Sequence, residues 1–96
     1  MPEVRIIARA TARKGKEEEL RSALQAVLAP TRTEAGCKVY ELYASDTPGR
    51  FYFYEQWESQ EALAKHEASP HFQKLAKTIP GLLDGELEVN RVKQVE

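Results

Sequence analysis

KVYELYASDTPGRFYFYEQW, residues Lys38–Trp57, carries the reading of the fold. Two apolar and aromatic runs, Lys38–Ala44 and Arg50–Trp57, flank the segment SDTPG. Asp46, Pro48 and Gly49 are turn formers, so the stretch reads as a β-hairpin with a loop longer than two residues. In the second strand Phe51, Phe53, Glu55 and Trp57 point one way, and Tyr52, Tyr54, Gln56 and Glu58 the other. A one-sided sheet shows apolar residues on one parity only, whereas here both parities carry large rings. Both faces of this strand are therefore expected to be covered, one by helices and the other by a second copy in a two-fold dimer.

The flanks complete the pattern. Upstream, Val4, Ile6, Ala8, Ala10 and Ala12 alternate with Arg5, Ile7, Arg9 and Thr11, which predicts a strand. After Gly15, Leu20, Leu24, Val27 and Leu28 fall on one helical stripe behind an acidic first turn, Glu17–Glu19. Pro30 kinks the end of that helix and Gly36 closes the turn. Downstream, Ser59 is an N-cap for a short helix ending near Glu67, and Ser69–Pro70 start another. The stripe of that last helix is Phe72, Leu75, Ala76 and Ile79; Pro80–Gly81 end it, and Leu87, Val89 and Arg91 begin a final strand. The order β-α-β-β-α-β, with its second helix broken, is the ferredoxin-like α+β arrangement: a four-stranded antiparallel sheet with helices on one face.

Bulk properties bound the function. The 96 residues suit a single domain, 1–96, with a core thin enough to favour oligomerisation. Fourteen basic residues against 15 acidic ones leave a net charge of −1, which gives no electrostatic footprint for nucleic acid or anionic lipid. The lone Cys37 has no internal disulfide partner and suits a reducing compartment; beside a turn glycine it reads as structural. With no signal-like apolar region and no membrane-spanning run, the chain is expected to be soluble and cytoplasmic.

Both histidines lie in AKHEASPHF, Ala64–Phe72, which nearly spells the zinc-protease motif H-E-x-x-H. That motif works because histidines four apart share one helical face. His66 and His71 are five apart with Ser69–Pro70 between them, so they leave separate helices, and the expectation is that no metal binds. His66 sits near a helix end that favours its charged form, and His71 near a helix start that favours its neutral form, a pairing suited to acid–base work. The plain alternative is that both cap or bridge backbone groups at a half-exposed corner. Glu55, between Phe53 and Trp57, is costly to bury unless paired, and His66 is its candidate partner, as a structural tie or a proton relay. Tyr40, Tyr43, Phe51, Phe53 and Trp57 make either core or the lining for a flat ligand; Arg32, beside Glu34, makes either a surface ion pair or an anchor for an anionic group. No glycine-rich phosphate loop or dinucleotide fingerprint is present.

TRTEAGCKVYEL (Thr31–Leu42) and RFYFYEQWESQEALAKHEASPHF (Arg50–Phe72) resemble the antibiotic biosynthesis monooxygenase family, in the Arg-x-Glu-x-Gly-Cys turn, the Tyr-Glu-x-Trp strand end and the His-x-x-Ser-x-x-Phe corner. The first strand and the Lys-Gly-Lys entry to the first helix extend the match along nearly the whole chain. The resemblance implies a dimeric α+β barrel with a pocket between each sheet and its own helices. It also implies oxidation of quinols or phenols by molecular oxygen, with no metal or organic cofactor. Carried onto this chain, Glu55, Trp57, His66, His71 and Phe72 border the pocket, with His66 abstracting a proton, Glu55 orienting it and Trp57 packing the substrate ring. Tyr40, Phe53 and Arg32 complete the expected substrate-binding set. Haem-degrading relatives carry tryptophan at the position of His66 and a ligating histidine at that of Ala76, which argues against haem here. Another branch isomerises a hydroxyketone phosphate, a phosphorylated signalling sugar derivative, and needs a cation such as Arg32 or Lys65. A non-catalytic binder of a small aromatic is the third reading.

Overall fold

In a computed structural model, which describes residues 3–96, the hairpin is the frame on which the rest is hung. The elements run β1 (Val4–Thr11), α1 (Glu17–Ala26), α2 (Leu28–Arg32), β2 (Cys37–Ala44), β3 (Arg50–Trp57), α3 (Gln60–Glu67), α4 (Pro70–Thr78) and β4 (Glu88–Val92), with a 3-10 turn at Ile79–Gly81. The sheet order is β2-β3-β1-β4, and every neighbouring pair is antiparallel. This is the expected ferredoxin-like α+β fold.

The strand parities decide which face is covered. Ile6, Ala8 and Ala10 of β1 and Phe51, Phe53, Glu55 and Trp57 of β3 are buried beneath the helices. The small alanines of β1 lie opposite the large rings of β3, Ala8 against Phe53 and Ala10 against Phe51, so large and small alternate across the pair. Leu20 and Leu24 of α1 are fully buried, each stabilising the fold by about 1.5–3 kcal/mol. Pro30 splits the expected single helix, and Val27 forms the joint between α1 and α2. On the other face Tyr52 and Tyr54 are half-buried and Ile7 and Tyr43 exposed, with no helix of the described residues over them.

Two local devices aim the candidate site. Gly36 adopts φ +86°, and a Cβ there would come within 2.6 Å of the Ala62 Cβ, so only glycine lets the α2–β2 turn lie against α3. Immediately after it the β2–β3 register shifts between Cys37 and Val39, a bulge that explains why pairing begins one residue earlier than the expected Lys38. Second, the Ser69 hydroxyl accepts from the Phe72 amide and donates to the His66 carbonyl at 2.6 Å. One side chain thereby caps α4 and ties it to the end of α3. Ser59 caps α3 in the same way, accepting from the Ala62 amide. Among the described residues, no helix is long and apolar enough to cross a membrane.

Candidate active site

His66 lies at the centre of the site. Its ring is fully buried and enclosed by Trp57 at 4.6 Å, Phe72 at 5.0 Å and Tyr40 at 5.4 Å between centroids. The cage comes from three elements: β3 supplies Trp57, β2 supplies Tyr40, and α4 supplies Phe72 through the Ser69 joint.

The expected Glu55–His66 pair does not form. The His66 Nδ1 lies 2.8 Å from Glu34 Oε2, and the same oxygen lies 2.8 Å from His71 Nε2. Glu34 stands two residues before Gly36, and the close approach of that turn to α3 sets the carboxylate between the two rings. A carboxylate only accepts, so His66 carries its proton on Nδ1 and His71 on Nε2. Glu34 is the member of this cluster that the sequence reading left outside the candidate site. Its motif position beside Gly36–Cys37 was the available signal, and pairing it with Arg32 was the misreading.

Glu55 instead accepts from the Trp57 indole at 2.9 Å. The two residues are neighbours on one face of β3, so this bond is local. Burial pushes the Glu55 carboxyl up to about 7; the indole bond opposes this and the charge of Glu67 adds to it. Glu55 is thus a buried carboxyl poised to change charge near neutrality. His66 departs from its expected charged state. Burial holds its pKa below the ordinary value against the upward pull of Glu34. Burial also pushes the Tyr40 phenol up, with the charge of Glu55 adding to it, so Tyr40 stays protonated. The Cys37 thiol is raised by burial and by Glu34, in keeping with a structural role.

These groups border an inner cavity of about 70 Å³, lined by Tyr40, Phe53, Glu55, His66, Phe72 and the edge of β4 at Val89, among others. Phe72, Leu75 and Leu87 also line a larger apolar groove of about 410 Å³ between α4 and the chain before β4. A cavity of about 150 Å³ takes one benzene, so a ring substrate reaches His66 only when the cavity opens toward this groove. Among the described residues, no lysine or arginine lines the inner cavity.

Three expected site residues lie elsewhere. Trp57 is fully buried, is not among the residues lining the cavity, and contacts Glu55 through its indole and His66 through its ring. His71 borders a separate groove between α1 and α4 and meets the site through Glu34 and through its ring, 6.0 Å from that of His66 between centroids. Arg32 is exposed and donates to the Tyr40 backbone carbonyl at 3.0 Å, facing a shallow groove along β2. It is not among the residues lining the inner cavity. Lys65, the other candidate cation, is also exposed and outside the cavity.

Known proteins share this architecture. "Putative monooxygenase Rv0793" of Mycobacterium tuberculosis is 41% identical over 69 residues, covering 72% of this chain and 68% of that protein. The solved Rv0793 structure superposes with a TM-score of 0.93 at 33% identity, over 99% of this chain and 97% of that one. PA3566 of Pseudomonas aeruginosa gives a TM-score of 0.92 at 31% identity, over 100% and 97% of the two chains. The Synechocystis protein sll1783 is 33% identical over 82 residues, 84% of this chain, which spans 56% of that protein's length. The profile of the antibiotic biosynthesis monooxygenase family matches residues 3–78, and the chain belongs to that family.

Proposed function

We propose that the chain is a cytoplasmic, homodimeric monooxygenase that oxidises a small uncharged quinol or phenol with molecular oxygen and no resident cofactor. The observation that carries the reading is the Glu34–His66 hydrogen bond beside a cavity bearing a second carboxyl, which titrates near neutrality. With Nδ1 donating to Glu34, the free lone pair of neutral His66 is on Nε2, the arrangement of an oriented general base. His66 takes the phenolic proton. The resulting quinolate is electron-rich enough to reduce oxygen itself, forming a carbon–oxygen bond and a hydroperoxide. Loss of the C–H proton from the oxygenated carbon, with proton delivery to the distal oxygen, for which protonated Glu55 is suited, breaks the O–O bond, forms the new carbonyl and releases water. Quinol plus O2 gives hydroxyquinone plus H2O, and all four electrons come from the substrate. The ring cage and the apolar groove supply a dry site for that intermediate.

The lining bears on the alternatives. A hydroxyketone phosphate needs a cation, and Arg32 and Lys65 lie outside the inner cavity. The half-buried Tyr52 and Tyr54 on the outer face, beside exposed Ile7 and Tyr43, support the homodimer.

The test is oxygen uptake over a panel of menadiol-like quinols, with His66→Ala beside the parent chain. Uptake that is lost in the variant is expected, and no uptake across the panel sinks the reading. Turnover unchanged under argon would favour the isomerase, and quenching of Trp57 without product would favour a binding module.

A further inference from the structure

Five residues apart and on separate helices, His66 and His71 have no geometry set by a single helix. The Ser69 joint makes them converge between two. Glu34 Oε2, His66 Nδ1 and His71 Nε2 come from the α2–β2 turn, α3 and α4, and all lie within 4.8 Å of one another. We propose that Glu34, His66 and His71 form a binding site for a divalent transition-metal ion of the zinc or cobalt type.

Two imidazoles and one carboxylate are a donor set suited to such ions, and leave coordination positions open for water or a ligand. Zinc–ligand bonds of about 2.0–2.1 Å in a tetrahedral site put donor atoms about 3.3 Å apart. Around an ion the two oxygen–nitrogen distances of 2.8 Å open by about 0.5 Å, and the two nitrogens, within 4.8 Å of each other, settle to the same spacing. Each donor is already fixed from outside the cluster: Gly36 sets the turn of Glu34, and Ser69 holds the end of α3 and the start of α4. There is also a way in. His71 is half-buried and borders the open groove between α1 and α4, whereas His66 faces the inner cavity.

The ion would replace the two protons that now bridge the rings to Glu34. Metal on Nδ1 moves the His66 proton to Nε2 and removes the lone pair that would act as base. Binding would therefore turn off proton abstraction. That consequence rests on the oxygenase reading, but binding itself does not.

The experiment uses untagged, chelator-treated full chain without substrate. Cobalt(II) is added while its visible ligand-field absorption and the quenching of Trp57 are followed, since Trp57 lies 4.6 Å from the His66 ring. One ion per chain is expected, displaced by zinc. Affinity should fall by more than about tenfold in both Glu34→Gln and His71→Ala. Absence of the absorption bands and of quenching in the parent chain overturns the proposal, as does unchanged affinity in His71→Ala. His71→Ala keeps the test decisive if Glu34→Gln fails to fold, because His71 is half-exposed on the first turn of α4. Oxygen uptake plays no part in these readouts, so failure of the catalytic reading leaves this result standing on its own.

Discussion

Replacing Glu55 with glutamine should stabilise the protein at neutral and alkaline pH while leaving it little changed in acid. Glu55 is 7% exposed, and its carboxyl titrates near 7 in the fold against an ordinary 4.5. That difference, at 1.36 kcal/mol per pKa unit, corresponds to roughly 3 kcal/mol. The sign follows from the proton. Below pH 4.5 the carboxyl is neutral in both states and costs nothing. As pH rises toward about 7 the unfolded chain ionises first, so the folded state loses ground, and above that the full penalty remains. Glutamine keeps the shape and still accepts from the Trp57 indole, but carries no charge to desolvate. Urea unfolding of both proteins at one protein concentration, between about pH 4.5 and pH 8, isolates this group by difference. The advantage of Glu55→Gln should grow with pH to about 3 kcal/mol. A difference that is flat across this range, or that shrinks as pH rises, would refute the account of Glu55 as a carboxyl whose burial outweighs its hydrogen bond to Trp57.

Other parts of the site make their own predictions. Gly36→Ala should cost more than ~2 kcal/mol in urea unfolding, since it combines a φ of +86° with a 2.6 Å approach to Ala62; a loss under about 0.5 kcal/mol would contradict the role of that turn. Ser69→Ala should cost about 1 kcal/mol, and amide exchange in the first turn of α4 should quicken; unchanged protection at Phe72 would argue against the joint. Trp57→Phe removes the one hydrogen bond that lowers the Glu55 pKa, so the carboxyl resonance should titrate above about 7, and a lower midpoint would contradict the assignment.

Sequence periodicity carried the fold because the elements are short and sharply punctuated. Ser59, Ser69–Pro70 and Pro80–Gly81 mark helix ends with residues whose backbone chemistry has few other uses. The alternation in β3 correctly separated Phe53, Glu55 and Trp57 from Tyr52 and Tyr54. The site was harder to read, since Glu34 and His66 are 32 residues apart and meet only because Gly36 lets a turn press against α3. No local pattern encodes that distance. The Glu55–Trp57 bond, by contrast, was legible in principle. Residues two apart on a strand share a face, and an indole N–H beside a buried carboxylate is its nearest donor. The burial of His66, at 1% exposure, lowers its pKa against the pull of Glu34, and neither effect is written in the local pattern of α3.

The central claim is that Glu34 holds His66 as the Nδ1-protonated imidazole, leaving Nε2 free to take a proton. Nitrogen NMR of the histidine side chains in metal-free buffer near neutral pH tests it directly. With only two histidines, His71→Ala assigns the remaining signal. The account predicts that His66 bears its proton on Nδ1 and an unprotonated Nε2, and that Glu34→Gln disturbs this pattern. A proton on Nε2 alone, or on both nitrogens, would contradict it.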